Sequence, residues 1–413
     1  MTLAHFAATI TVLCFMLALG WFWQAVAAWR GVPTLPDLTR LDFARLDFAC
    51  LDFSAALPDR TASDEPELTV IVPACNEEES IETTLRSLLA STGVRLQIVA
   101  VDDRSTDRTG ALMDAIALEA DAAGGPHRLE IIHNHELPAG WLGKVHALSL
   151  GVERATTPWL LFTDGDVRFG PRAAELALRY AKAEKADHVV LLLVLEIESF
   201  TEAAVFATFQ ALTSWKNRFW KVADPKAWDF FGAGGFNMVR REVYDKVGGF
   251  EALRMEVVED LRLGWMIKRA GYAQRVVVGP GLVSIRWIHG ALGLVGLLEK
   301  NGFAALRYRV GLALRAFIGL AVQITLPLIA IALGGWATVA GLAVYASMML
   351  TYAANRRVTQ MPAWLALLYA PAAAVLMFAL MRSTFLTLKN GGVQWRGTFY
   401  PLEELRRNIG SWN

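Results

Sequence analysis

Two stretches of this chain carry no charge over lengths that can cross a lipid bilayer, and they bracket its charged middle. Leu3 to Trp29, LAHFAATITVLCFMLALGWFWQAVAAW, has no Lys, Arg, Asp or Glu. A bilayer core asks for about 20 such residues as a helix. Ala316 to Asn355 is equally uncharged. At a rise of ~1.5 Å per residue it suits a hairpin of two spans, with Gly334-Gly335 as the turn. A third apolar run covers Ala363 to Met381.

The flanking charges orient these runs. Arg30, Arg40 and Arg45 follow the first one. A cleaved signal peptide would have its basic residues ahead of a shorter core. The run therefore reads as a retained anchor, with Trp21, Phe22, Trp23 and Trp29 near the interface and the next domain cytoplasmic, as in a bacterial inner membrane. The loop NRRVTQMP is basic, as a cytoplasmic loop should be. Three later spans would then put the tail outside, against Arg382, Lys389, Arg396, Arg406 and Arg407. A run that is re-entrant or interfacial removes the conflict.

Of the 413 residues, 54% are hydrophobic, and the excess sits in these end segments. Forty basic and forty acidic residues cancel, so no nucleic-acid partner is implied. Cys14, Cys50 and Cys75 have neither metal-ligand spacing nor a disulfide pattern. The expected organisation is an anchor (1–30), a linker (31–66), a globular domain (67–290), an interfacial segment (291–311), a membrane region (312–385) and a tail (386–413). From Pro36 the linker reads PDLTR, LDFAR, LDFAC, LDFSA, a five-residue period. It resembles one turn of a pentapeptide-repeat coil, and a duplicated linker is the simpler reading.

In the globular stretch, apolar runs alternate with amphipathic ones. LTVIVPA, LQIVAVDD, RLEIIH and WLLFTD read as strands. The segments after Asn76, after Ser105 and after Gly143 read as helices, with Asn76 a candidate cap. This predicts an α/β fold with a parallel, doubly covered sheet. Ligands of such sheets bind beyond the carboxyl ends of the strands. At those ends lie Pro73 and Glu77, then Asp102-Asp103, then Lys144, then Asp164-Gly-Asp166. Acids at successive strand ends, with one lysine among them, fit a nucleotide diphosphate held through a divalent cation, Mg²⁺ or Mn²⁺.

The serial motifs VIVPACNEEESI, VDDRSTDRT, GWLGKVHAL, FTDGDVRF, GAGGFNMVRREVYDKVGGF and VEDLRLGWMIKRAGY resemble those of family 2 glycosyltransferases with the GT-A (nucleotide-diphospho-sugar transferase) fold. The resemblance covers roughly Leu68 to Trp287. The flanking spans make the chain similar to the lipid-directed branch, such as ceramide glucosyltransferases and hopanoid-associated glycosyltransferases.

The resemblance implies a nucleotide-sugar donor, a UDP-sugar being expected, and a lipid acceptor. Pro73, Glu77, Asp102, Asp103 and Lys144 would serve the nucleotide. Asp164 would face the donor and Asp166 the metal. Asp260 would be the general base of a single inverting displacement, with Glu259 in support. Gly234, Gly235 and Phe236 would wall the acceptor and sugar. Arg286 and Trp287 match only the second half of a Q/R-x-x-R-W motif, because Val283 stands at its first place. That departure weighs against a processive polysaccharide synthase. His289 is a further diphosphate candidate, and the WRGxxY element at Trp395 resembles one in lipid-modifying relatives. Transfer to a polyprenyl phosphate, or a membrane scaffold that only binds nucleotide, are the competing readings.

The segment from Ala204 to Phe231 has Phe206, Phe209, Leu212, Trp215, Phe219 and Trp220 at helical spacing beside basic residues. This suits either a core helix or an interfacial one.

Overall fold

The computed structural model describes residues 3–41, 65–287, 290 and 292–408. Most of the linker repeat, and His289, lie outside the described residues.

In chain order the elements begin with α1 (Leu3–Gly31), β1 (Leu68–Ala74), α2 (Ile81–Leu89), β2 (Leu96–Asp103) and α3 (Thr109–Ala123). There follow β3 (Arg128–Asn134), α4 (Gly143–Arg154), β4 (Trp159–Phe162), β5 (Val167–Phe169) and α5 (Ala173–Ala183). Then come β6 (His188–Leu191), β7 (Val194–Leu195), α6 (Phe200–Thr213), β8 (Asn237–Arg240), α7 (Arg241–Lys246), α8 (Glu259–Arg269), β9 (Gln274–Val277) and β10 (Val283–Ile285). The chain continues through α9 (Gly293–Ala305), α10 (Val310–Leu333), α11 (Gly335–Thr359), α12 (Tyr369–Asn390), the hairpin β11 (Gly392–Trp395) and β12 (Thr398–Pro401), and α13 (Leu402–Asn408). Two compact units result: a globular one from residues 35–195 and 221–286, and a helical one from 1–34, 196–220 and 287–410. Residues 196–220 thus leave the globular stretch and belong with the helices.

The globular unit is built on a seven-stranded sheet in the order β3-β2-β1-β4-β8-β6-β9. β1 and β2 are buried along their whole length, which is why LTVIVPA and LQIVAV run almost without polar interruption. The first four strands are parallel. β8 is the exception, antiparallel to both β4 and β6. A parallel neighbour needs a crossover packed on the sheet, whereas the chain between β6 and β8 carries α6, which belongs to the other unit. The sheet is therefore mostly parallel, not wholly so. A small second sheet, β5-β10-β7, stands beside it.

Asn76 does not cap α2. That helix starts at Ile81, while Asn76 sits at φ 56° and its Oδ1 accepts from the Thr106 N–H at 2.8 Å. The asparagine tolerates the left-handed conformation and pins two strand-end loops together.

In the helical unit α6 opens with a capping box between Ser199 and Glu202 and stops at Thr213. The helical spacing read as far as Trp220 overshoots, since Phe219–Lys221 form a separate 3₁₀ turn. Among the described residues, four apolar helical stretches are long enough to span a bilayer: Leu3–Thr34, Val310–Leu333, Gly335–Thr359 and Ala363–Asn390. The last of these does not run the length of the bundle. At one end of the unit, Arg357 of α11 donates to the Pro33 carbonyl just past α1 at 2.7 Å. From there the chain turns back into the bundle through a 3₁₀ segment, Ala363–Leu368. Tyr369, the first residue of α12, donates to Gln323 at 3.1 Å and meets the Trp21 ring at 5.7 Å. Gln323 lies about 20 Å along α10 at ~1.5 Å per residue, so α12 begins in mid-bundle. It returns to α9, the helix just ahead of α10, where Ser383 donates to the Glu299 carbonyl and accepts from the Phe303 N–H. The tail hairpin, turning at Arg396 and Gly397 with positive φ at both, emerges at that same end.

Candidate active site

Two acids far apart in the sequence meet at one cation. Lys144, the second residue of α4, places its Nζ 2.6 Å from Asp164 Oδ1 and 2.6 Å from Glu259 Oε1. Burial by itself would lower its pKa. The fields of Asp164, Glu259 and Asp260 reverse this and hold the ammonium above the ordinary lysine range. Lys144 is thus a permanent positive charge that ties the loop after β4 to the first turn of α8. Glu259 is 4% exposed. Lys144, Thr163, Gly234, Asn237, Glu259 and Asp260 line one small cavity.

The two acids of the D-G-D turn differ. Asp164 is engaged by Lys144. Asp166 has its Oδ1 buried with no hydrogen-bond partner. Burial first, then Asp164 and Glu77, push its carboxyl up to about 7 against the pull of Lys144. An orphaned carboxylate oxygen among like charges suits a hard divalent cation. Among the described residues no group of three His, Cys, Asp or Glu could hold a metal alone. A cation here would draw the rest of its shell from ligand oxygens and water.

Asp260 follows Glu259 in the first turn of α8. Burial, and then the Glu259 charge, raise its carboxyl to about 7, with Lys144 and the Leu261 N–H opposing. That N–H donates to Asp260 Oδ1 at 2.7 Å. A carboxyl poised near neutrality can accept a proton in turnover.

The family model for glycosyl transferase family 2 matches residues 69–261, from β1 to the first turn of α8. Residues 69–261 are a family 2 glycosyltransferase domain. The chain is 24% identical over 198 residues to a 4,4'-diaponeurosporenoate glycosyltransferase of Staphylococcus aureus, a match covering 48% of this chain and 50% of that protein. The chain thus spans about half the length of the curated relatives it matches. Among solved structures, a mannosyltransferase from Pyrobaculum calidifontis in complex with GDP-Man and Mn²⁺ superposes with a TM-score of 0.51 at 19% identity, covering 94% of this chain and 99% of that one. This likeness is one of fold, the GT-A fold.

The rest of the glycosyltransferase domain's rim is held just as firmly. Pro73 is paired with Val101 within the sheet. Glu77 receives a hydrogen bond at its Oε2 from Ser80 and donates its own N–H to Thr109. Asp103, fully buried, is clamped by the Arg104 guanidinium at 2.9 and 3.0 Å and by Asn134 at 2.9 Å. Asp102 Oδ2 lies 3.1 Å from His133 Nδ1, and Asp114 lies 2.9 Å from the other ring nitrogen. Hydrogen bonds to Asp114 and then Asp102 raise the His133 pKa.

His133 and Asn134 were missed, because their place at the rim depends on strand register. Their strand is in register with β2, so that Asp102 faces His133 and Asp103 faces Asn134.

The glycine segment divides. A Cβ at Gly234 would lie 2.7 Å from Asp164 Oδ2 and 3.2 Å from Lys144 Nζ, and one at Gly235 would collide with Leu193. Phe236, expected as a wall, is instead a core residue, 0% exposed with its ring 6.0 Å from Phe169. Arg286 lies at the end of the globular unit, just after β10. Trp287 belongs to the helical unit, where its ring packs 5.9 Å from Phe209 and 6.4 Å from Phe206.

Proposed function

We propose that the chain is a membrane-bound, inverting, metal-dependent glycosyltransferase that moves a single sugar from a nucleotide-diphosphate sugar to a lipid hydroxyl. The observation that carries this is the Lys144 bridge, which joins Asp164, two residues before the orphaned Asp166 carboxylate, to Glu259, next to the near-neutral Asp260 carboxyl. The uncharged helices, and a relative named for glycosylating 4,4'-diaponeurosporenoate, support an apolar acceptor. GDP-Man in the Pyrobaculum neighbour supports a nucleotide-sugar donor, with a UDP-sugar the form we expect.

In this reading Asp102 and Asp103, fixed by His133, Arg104 and Asn134, take the nucleoside with Pro73 and Glu77. Asp166, with Asp164 beside it, would hold a divalent cation, which would supply positive charge to offset that on the departing diphosphate. Asp260 takes the proton of the acceptor hydroxyl as its oxygen bonds to the anomeric carbon. The bond from that carbon to the diphosphate oxygen breaks, and the diphosphate leaves with the electron pair. Lys144 pairs with Glu259 and holds the first turn of α8 in place, while Gly234, Gly235 and Arg286 border the sugar and diphosphate.

Detergent-purified protein, a panel of sugar nucleotides and a total lipid extract should release nucleotide diphosphate from one donor only. No release with any donor would sink the proposal. Rates equal to wild type in Asp260→Asn would favour a polyprenyl phosphate acceptor, which is already anionic and needs no base. Gly234→Ala, whose methyl would press on both Asp164 and Lys144, should cut turnover roughly tenfold or more with little change in melting temperature.

A further inference from the structure

Beneath the first turn of α8 lies a set of polar side chains to which the reaction above assigns no role, although one of them, Asn237, also lines the cavity. His188, Asn237 and Gln274 are 0%, 2% and 1% exposed and stand on the adjacent strands β6, β8 and β9. Their backbones are already satisfied by the sheet ladder, so strand pairing does not require polar side chains here. Apolar groups of similar shape at such sites are often neutral or stabilising. The hydrogen bonds among them have one direction.

Gln274 Oε1 accepts from the Phe231 N–H at 2.9 Å, which fixes its Nε2 as the donor end. That nitrogen donates to the Gly264 carbonyl of α8 at 3.1 Å and to His188 Nδ1 at 2.6 Å. With Nδ1 an acceptor, the ring proton sits on Nε2, which donates to Asn237 Oδ1. Burial pushes the His188 pKa down to about 4, consistent with this neutral tautomer. Asn237 Nδ2 then points to the backbone carbonyl of Asp260 at 3.5 Å.

Both ends of the chain therefore hold α8, at Gly264 and at Asp260. The helix also lies so close to the 231–232 backbone that a Cβ at Gly232 would collide with the Asp260 carbonyl, and one at Gly264 with the Phe231 carbonyl.

We propose that His188, Asn237 and Gln274 are positioning residues, a one-way hydrogen-bond chain that sets the depth and rotation of the first turn of α8 and so the place of the Asp260 carboxylate. The proposal rests on Asp260 acting as the base. A carboxylate on the end of a helix moves with that helix, and a displacement of about 1 Å can cost roughly a hundredfold in rate.

The test uses the full chain in detergent, with diphosphate release as the assay and UDP and GDP in Mn²⁺ as binding probes. Asn237→Asp keeps the shape and the acceptor oxygen but deletes the donor to Asp260. Gln274→Met cuts the far end. Each should lower kcat roughly ten- to a hundredfold, with donor KM and nucleotide affinity within twofold of wild type. Neither should cause further loss when combined with Asp260→Asn, because residues acting through one group are not additive. Unchanged kcat in both variants would overturn the proposal. So would losses that multiply with that of Asp260→Asn, or that come with a parallel loss of nucleotide affinity. Wild-type turnover in Asp260→Asn itself would remove the base assignment and this role with it. A crippled Asp260→Asn beside an indifferent Asn237→Asp would remove the positioning role alone.

Discussion

Asp260→Asn should bind donor as wild type does and lose turnover by roughly 10²–10⁴-fold, the usual contribution of a positioned general base. The amide keeps the shape and can still accept from the Leu261 N–H, so the loss measures proton transfer and not folding. The wild-type enzyme should show the matching pH dependence. Its carboxyl sits at about 7, raised by burial and by Glu259, and a base works only when ionised. kcat/KM should therefore fall about tenfold per pH unit below 7 and level off above it, since that profile reports the free enzyme. Residual activity in Asp260→Asn should lack this limb. A variant with an unchanged acid limb would place the titrating group elsewhere.

Removal of metal should have the second large effect, and Asp166 separates it from general damage. EDTA, or Asp166→Ala, should abolish diphosphate release, a loss of roughly 10²–10³-fold or more, with Mn²⁺ or Mg²⁺ restoring only the wild type. Stability should move the other way. The Asp166 carboxyl is raised to about 7, mainly by burial and then by Asp164 and Glu77. A group whose folded pKa is raised contributes stability below its unfolded pKa and loses it as pH climbs through the folded value. Metal-free wild type should therefore lose stability from about pH 4 to pH 7, where the buried charge is forced on it. At pH 8 metal-free Asp166→Asn should melt above metal-free wild type, and only wild type should gain from added Mn²⁺. Equal melting temperatures at pH 8 would mean that Asp166 carries no such strain.

Much of this site was open to sequence reading because it is serial. Acids that end successive strands of one sheet must gather on one rim, so Glu77, Asp102, Asp103, Asp164 and Asp166 could be grouped without coordinates. What period and spacing do not encode is pairing across strands. The antiparallel insertion of β8 is a matter of tertiary connection, and it brought Asn237 beside His188. The same holds for His133 and Asn134, whose value comes from register with β2. Phe236 was misplaced because its glycine neighbours approach the cavity while its own side chain, one residue on, points to the core. Asn76 read as a helix cap by residue type, yet tertiary hydrogen bonds to the loop after β2 decided its conformation. The double role of Lys144, joined to carboxylates at sequence distances of 20 and 115 residues, is likewise a product of folding.

The mid-bundle start of α12 has a consequence for compartments. If α1, α10 and α11 each cross the bilayer and Ala363–Asn390 goes in and comes out on one side, the chain crosses three times. An odd number of crossings puts Leu3 and Asn408 in different aqueous spaces. Enzymatic reporters fused before α1 and after α13 should then give opposite signals, whereas four crossings would give the same one. The basic tail need not be carried across the membrane, which removes the conflict between its arginines and a count of apolar runs.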